Sequence, residues 1–278
     1  MPKKGMKGPK QPLEVILDKD NDSVLKDRRN RSTGDLYTLR IGRSDVLPLL
    51  EVTFTDDPPT ASAWLRHAHR LLDRRRSTTG KHPVVVAGFR LFRGQPREWI
   101  YCKSPRDISS RPVIAFSLCI GGSHILYFPI EYGVVPRPIA DFFADERVVV
   151  AGVNVARDAA ALEAEMGVRV ARPVELAPLV EEAFKGWGGF PILRGFWVRP
   201  EEMRKLDVVD LAAIAMEGME TERAEDHQKL EMIDWSYGCE EEDRIKFAAV
   251  QAFLACETAT RCYRKINGSG VSSAPVCD

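Results

Sequence analysis

The sequence has no long apolar run and no excess of either charge. A transmembrane helix needs about 20 predominantly apolar residues, and no segment approaches that length, so we expect no membrane span. The N-terminal MPKKGMKGPK is basic, but no apolar stretch follows it, so we do not expect a secretory signal. The 40 basic and 40 acidic side chains cancel, which excludes a strongly basic nucleic-acid-binding protein as a description of the whole chain.

Paired cysteines are also missing. Structural zinc sites use cysteines and histidines at short spacing, and none of the six cysteines forms a CxxC pair. His67 and His69 lie two residues apart in a predicted helix, so their side chains diverge. This cysteine use fits a reducing compartment, and we expect a cytoplasmic or nuclear location, or both.

The chain has enough apolar residues, 44%, to bury a full core. Residues 1–34 are polar and basic, and we predict a disordered tail there. Residues 267–278 are rich in Gly and Ser and predict a second disordered tail. Between them, residues 35–266 contain no linker or repeat and predict a single domain.

Hydrophobic periodicity predicts an α/β domain with a mixed sheet and helices on its faces. Helices are predicted at 60–76 (capped by Thr60), 136–145, 156–167 (ended by Gly167), 176–185, 207–219 and 240–265. Strands are predicted at 36–42, 49–55, 83–92, 113–120, 124–130 and 147–153, with one more within 168–176. Strands 83–92, 113–120 and 124–130 are expected to be antiparallel, and 147–153 is expected to pair in parallel with 83–92.

Several segments, in this order, carry a family resemblance. They are VTFTDDPPTASAWL (52–65), VVVAGFRLF (84–92), AFSLCIGGSHILYFPI (115–130), VVVAGVNVARDAAALEAEMGV (148–168) and DWSYGCEEEDRIKFAAVQAFLACETATRCY (234–263). Together they resemble the DEDD-type 3′–5′ exonuclease domain of the ribonuclease H-like superfamily, in particular the Werner-syndrome-type exonucleases of plants. The resemblance covers residues 36–265 and implies a ribonuclease H-like fold.

The resemblance also implies a chemistry. Members of this family hold two Mg²⁺ or Mn²⁺ ions with four acidic residues. A D-x-E pair lies on the first strand, a third acid begins the helix after the fourth strand, and the last lies in Y-x-x-x-D on the final helix. The two ions activate water and stabilise the leaving oxygen, which requires several oxygen ligands at once.

This sequence departs from that pattern. Arg90 and Phe92 occupy the D-x-E positions, and Phe247 and Gln251 occupy the Y-x-x-x-D positions. Only Asp158 retains an acid. Arg90 places a cation where the family binds cations, so we expect no metal cofactor and no intact catalytic set.

Three other acids are candidates to replace the missing ligands, namely Glu98, Asp107 and Glu175, and we expect none of them to restore the site. Asp158 also has a structural interpretation, as an acid in the first turn of a helix or as the counter-ion of Arg90. A buried guanidinium needs partners, so we expect a direct or water-bridged contact between Arg90 and Asp158. On that expectation, Asp158→Ala lowers stability.

Charge is unevenly distributed along the chain. Residues 74–111 contain ten basic and two acidic side chains, a net of +8, whereas residues 217–243 contain eleven acids and two basic residues, a net of −9. These segments are either solvated faces, complementary contacts between protomers, or, for the first, a phosphate-binding strip. Arg93, Arg97 and Lys103 are the nucleic-acid-binding candidates within it.

Three functions remain open from the sequence. The first is an inactive or strongly impaired exonuclease-like protein that binds single-stranded DNA or RNA and acts by binding or protein association. The second is an active, metal-dependent 3′–5′ exonuclease with an unusual ligand set. The third is a protein-interaction module that forms homo-oligomers or associates with paralogues.

Overall fold

The structure is a computed structural model. It describes residues 15–19, 35–41, 49–66, 70, 84–94, 111–130, 134–185, 190–192, 196–198, 200–216 and 241–267.

An eight-stranded mixed sheet forms the centre of the domain, in the order β1-β2-β3-β6-β5-β4-β7-β8. Its strands are β1 (Val15–Lys19), β2 (Asp35–Ile41), β3 (Leu50–Phe54), β4 (Val85–Arg93), β5 (Val113–Ile120), β6 (His124–Pro129), β7 (Val148–Gly152) and β8 (Pro173–Glu175). A separate two-stranded sheet pairs β9 (Phe190–Ile192) with β10 (Phe196–Val198).

The pairing directions confirm the predicted topology. Strands β4, β5 and β6 are antiparallel, and β7 pairs in parallel with β4. Strand β8 pairs in parallel with β7 at one edge of the sheet. On the other side of the sheet, β3 pairs in parallel with β6. The valines of β7 are buried on both faces of the sheet, as expected for a central parallel strand.

Helices cover both faces of the sheet. They are α1 (58–66), α2 (Arg137–Ala144), α3 (Val155–Met166), α4 (Leu176–Ala183), α5 (Val208–Ala215) and α6 (Glu241–Ile266), with a 3-10 helix at Pro200–Lys205. Two buried clusters result, one beneath α1, α2 and α3 and the other beneath α4, α5 and α6. None of the described helices is long and apolar enough to cross a membrane.

Two helix ends have clear local causes. Gly167 ends α3 with a φ of 67°, in the left-handed region that favours glycine, as the sequence predicts. The expectation that Thr60 caps α1 is wrong, because Asp57 Oδ2 accepts hydrogen bonds from Thr60 N at 2.9 Å and Thr60 Oγ1 at 2.6 Å. The aspartate, placed before the helix, satisfies a free amide of the first turn.

The predicted disordered tail 1–34 needs correction at one place. Val15–Lys19 forms β1 and pairs antiparallel with β2, with Leu17 opposite Leu39. The rest of that tail lies outside the described residues. The predicted C-terminal tail lies outside them from residue 268 onward, and so does the part of the predicted helix 60–76 beyond residue 66, except Arg70.

Candidate functional site

The positions identified from the resemblance converge where β4, α3 and α6 meet. Arg90 and Phe92 lie on β4, two residues apart, and alternation along a strand directs them to the same face of the sheet. Phe247 and Gln251 lie four residues apart on α6, which packs against that face. Asp158 lies in the first turn of α3 and enters from the neighbouring strand–helix junction.

Aromatic rings occupy one half of this site. The Phe92 ring meets the Phe247 ring edge-on, with centroids 6.4 Å apart, and the Tyr127 ring at 5.8 Å. Phe54 stacks on the far side of Tyr127 at 5.4 Å. We call Phe54, Phe92, Tyr127 and Phe247 the aromatic cluster. Edge-to-face and offset contacts of this kind add to the stabilisation from burial, so this half of the site is part of the core.

Asp158 occupies the other half. Its side chain is only 8% exposed, and burial raises the pKa of its carboxyl to about 6. The guanidinium groups of Arg90, Arg157 and Arg93, and the backbone amide of Leu91, act in the opposite direction and lower that pKa. Burial outweighs them, because removing a carboxylate from water disfavours its charged form more than these neighbours favour it.

Arg90 is half-buried and lies close enough to Asp158 to lower the pKa of that carboxyl. No hydrogen bond or ion pair joins the two side chains, so the direct form of the expected contact is not present. Within the described part of the chain, the buried Arg90 Nε has no hydrogen-bond partner. The ion pair nearest to Asp158 is instead with exposed Arg157, whose Nε lies 3.9 Å from Asp158 Oδ1.

Glu175 stabilises the start of α3 rather than binding a ligand. Its Oε2 accepts a hydrogen bond from the amide of Asn154 at 2.9 Å, and its Oε1 accepts one from the amide of Ala156 at the same distance. A carboxylate at a helix N-terminus satisfies free amides and interacts favourably with the helix dipole. Both oxygens of Glu175 are therefore already engaged.

Arg93 is the one nucleic-acid-binding candidate that the structure describes. Its guanidinium donates to Glu165 Oε1 at 2.9 Å and to the carbonyl oxygen of Arg111, while Glu165 Oε2 accepts from the amide of Val113. Its side chain is 15% exposed, so it links β4 to α3 as a structural ion pair. Arg97 and Lys103 lie outside the described residues, as do Glu98 and Asp107.

Comparison with known proteins identifies the fold of the chain. No protein-family model and no curated protein sequence matches the chain. Among solved structures, the exonuclease domain of Nibbler from Aedes aegypti aligns with 78% of this chain and 89% of its own, at 10% identity and a TM-score of 0.50. The EXD2 exonuclease domain soaked in manganese aligns at 16% identity, with 78% and 89% covered and a TM-score of 0.34.

NrnC from Brucella melitensis aligns with 68% of this chain and 76% of its own, at 8% identity and a TM-score of 0.43. The chain has the ribonuclease H-like fold of the DEDD-type 3′–5′ exonuclease domains. At 10% identity the likeness to the Nibbler domain establishes the fold alone, and the chemistry has to be argued from the side chains.

The side chains at this site do not fit the pair of divalent ions that the fold family implies. Mg²⁺ and Mn²⁺ prefer oxygen ligands, and the converging positions supply one carboxylate, one carboxamide, two phenyl rings and a guanidinium. Elsewhere among the described residues, no group of three or more His, Cys, Asp or Glu side chains is placed to hold a metal ion. The nearby acid Glu175 is engaged at the start of α3.

Two features of the site were missed by sequence reasoning. The capping role of Glu175 depends on a contact across 19 to 21 residues, which has no local signal in the sequence. The aromatic cluster had a signal that was not used, since phenylalanine replaces both the strand glutamate and the helix tyrosine. Paired apolar replacements at converging positions indicate that the two side chains pack on each other.

Proposed function

We propose that this chain is an exonuclease-fold protein that binds single-stranded nucleic acid without hydrolysing it by the two-metal mechanism. The observation that carries the proposal is the combination of the aromatic cluster with Arg90. One ring, Phe92, stands at a ligand position of the family and packs on Phe247, which stands at the tyrosine position. A fixed positive charge, Arg90, stands at a second ligand position, and Gln251 stands at a third. Within the fold, the order of the five quoted segments supports a relationship to the Werner-syndrome-type exonucleases of plants.

Binding remains compatible with this chemistry. The site retains more positive than negative charge, because Arg90 and Arg157 face a single carboxylate. Phosphate groups are attracted to guanidinium groups irrespective of sequence. Loss of hydrolysis therefore does not imply loss of affinity for a strand.

The test is a parallel measurement of cleavage and binding. End-labelled single-stranded DNA and RNA are incubated with the full chain in Mg²⁺, in Mn²⁺ and in a chelator, and shortening is followed on a gel while binding is followed by anisotropy. We expect binding in all three conditions and no shortening in any. A variant that restores family residues, Arg90→Asp/Phe92→Glu/Phe247→Tyr/Gln251→Asp, provides the matched comparison.

Two results would contradict the proposal in different ways. Metal-dependent shortening that disappears in Asp158→Asn would show an active exonuclease with an unusual ligand set. Failure to bind either strand would favour the protein-interaction hypothesis. A shortened product that persists in Asp158→Asn would instead indicate a contaminating nuclease, which a repeat with independently purified protein resolves.

A further inference from the structure

At the positions where the family binds metal ions, the described residues of this chain leave a positive charge. Arg90 and Arg157 approach Asp158 from β4 and α3, while Arg93 is already paired with Glu165. With Asp158 ionised and paired with Arg157, the guanidinium of Arg90 leaves a net charge of about +1 at this point. An excess of positive charge at a partly buried position is favourable only when an anion approaches it.

The side chain of Arg90 has hydrogen-bond donors that can bind a ligand. Its guanidinium offers five donors, yet among the residues that the structure describes its buried Nε has no hydrogen-bond partner and its side chain forms no ion pair. Because Nε is shielded from solvent, an anion would contact the terminal amino groups of this half-buried side chain. Arg157, by contrast, is 65% exposed and lies at the rim.

The backbone around these arginines is fixed. Arg90 pairs with Ser117 in the β4–β5 register, and the Ser117 hydroxyl donates to the carbonyl oxygen of Ala248 on α6 at 2.9 Å. The first turn of α3 is held by Glu175 through the amides of Asn154 and Ala156. Anchoring at both elements reduces the conformational cost that a flexible arginine pays on binding.

We propose that Arg90 replaces the metal ions in binding a phosphate group of a nucleic-acid strand, with Arg157 at the rim, and that Asp158 competes with that phosphate for Arg90. This inference rests on the proposed function and adds the ligand group and its regulation. It predicts binding that needs no divalent ion and that depends on the protonation of one carboxylate.

The direction of the pH dependence follows from the groups that face Asp158. These are Arg90 and Arg93 from β4, Arg157 from α3, and the backbone amide of Leu91. Because burial raises the pKa of Asp158 to about 6, lowering the pH through that value removes the only negative charge among them. Phosphate then meets no competitor, and binding tightens as the solution becomes more acidic.

The experiment measures the affinity of full-length protein for a labelled single-stranded oligonucleotide in chelator, at constant ionic strength, between about pH 5 and about pH 8, on either side of the Asp158 pKa of about 6. Oligonucleotides ending in a 3′-hydroxyl or a 3′-phosphate distinguish an internal phosphodiester from a terminal phosphate. The variants are Arg90→Gln and Asp158→Asn. Arg137→Gln is the matched control, because Arg137 is 91% exposed on α2 and loses the same charge.

We expect Arg90→Gln to weaken binding about tenfold or more, as for loss of a charge-assisted hydrogen bond. Arg137→Gln should change it less than about twofold, in line with a single exposed charge. Asp158→Asn should bind at about pH 8 as tightly as the unmodified protein does at about pH 5, with little further pH dependence, since the carboxyl with a pKa of about 6 is gone. This gain of affinity cannot result from misfolding, so the proposal stays testable if Arg90→Gln folds poorly.

Different failures have different meanings. If the unmodified protein binds no strand at any pH, both the proposed function and this inference are overturned. If it binds, but Arg90→Gln behaves like Arg137→Gln or Asp158→Asn gains no affinity, only the inference is overturned and the strand lies elsewhere on the protein. Equal affinity for both 3′ ends would indicate that Arg90 binds an internal phosphodiester. Preference for the 3′-phosphate would indicate that it binds a terminal phosphate. Both results support the inference.

Discussion

At the scale of single residues, Asp158 is a carboxylate that the fold holds in an unfavourable environment. Its pKa rises to about 6 from an ordinary value of 3.8 because burial outweighs three nearby arginines. No ion pair joins it to Arg90, so the stability loss expected for breaking a buried pair has no basis here. A neutral replacement of Asp158 with a similar shape, such as asparagine, is therefore expected to raise the stability of the protein and not to lower it.

We predict that Asp158→Asn stabilises the protein above about pH 6. The folded state binds more protons than the unfolded state between about pH 4 and pH 6, so the stability contributed by the protonated carboxyl is full below that window and is lost as the pH rises through about 6. One pKa unit corresponds to about 1.4 kcal/mol, so the gain is on the order of 2–3 kcal/mol at neutral pH. Thermal melts at about pH 4 and about pH 8 measure it.

The asparagine variant should show its gain only at the higher pH, because the carboxyl with a pKa of about 6 is already neutral near pH 4. A gain of equal size at both pH values would contradict the electrostatic explanation. A loss of stability at neutral pH would show that the ionised carboxylate has a stabilising partner.

Phe92, at a position where the family resemblance places a metal ligand, is part of the core in this protein. It is 2% exposed and contacts the rings of Tyr127 and Phe247. We predict that Phe92→Ala lowers the free energy of unfolding by about 3–5 kcal/mol, as for other large-to-small changes of buried aromatic residues. Phe92→Glu should cost at least as much, because a carboxylate would lose water without gaining a partner.

Urea unfolding measures both Phe92 variants, and Phe54→Ala is the control. Phe54 belongs to the same aromatic cluster but is only partly buried, so the same truncation there should cost less. A Phe92→Glu variant as stable as the unmodified protein would show that the site still accommodates an acid, which would weaken the proposed loss of metal binding.

At the scale of secondary-structure elements, the approach of α6 to β4 holds the site together. A Cβ atom added at Gly88 would overlap the carbonyl oxygen of Ala252 and the backbone nitrogen of Cys256. Both are main-chain atoms in the middle of a 26-residue helix, so neither can move aside alone. Only glycine allows the helix backbone to lie directly on this strand.

We predict that Gly88→Ala costs about 1–3 kcal/mol or more, as overpacking typically does, because α6 has to move away from β4. Gly167→Ala is the control, since a Cβ there meets nothing within 4 Å and the cost comes only from its φ of 67°. Chemical denaturation should rank Gly88→Ala as the more destabilising change. The reverse order would mean that α6 adapts without disturbing the sheet.

Most elements could be predicted from the sequence because their signals are local. The runs of valine predicted β4 and β7 to within two residues at each end, and Gly167 predicted the end of α3. Strand β1 could not be predicted, because five residues between charged neighbours carry a weak signal and their stabilisation comes from pairing with β2. The site positions came from resemblance, whereas the Glu175 cap and the aromatic cluster depend on tertiary contacts.

At the scale of the whole molecule, the absence of net charge limits how the proposed binding of a strand can arise. With 40 basic and 40 acidic residues, the chain has no long-range field of one sign. Binding then depends on local arrangement, and two surfaces compete as candidates. One is the pair Arg90 and Arg157, and the other is the rest of segment 74–111, which has a net charge of +8 when Arg90 is included.

The salt dependence of binding distinguishes these surfaces. For single strands, the logarithm of the binding constant falls with the logarithm of salt concentration at a slope of about −0.7 for each phosphate neutralised. Two arginines should therefore give a slope of about −1.4, whereas an extended strip of eight net charges would give about −5 or steeper. We predict the shallow slope, measured by anisotropy in chelator over a series of salt concentrations. If Arg90→Gln reduces the magnitude of this slope by about 0.7, one of the neutralised phosphates is assigned to that guanidinium. A steep slope that Arg90→Gln does not change would place the binding surface in the strip instead.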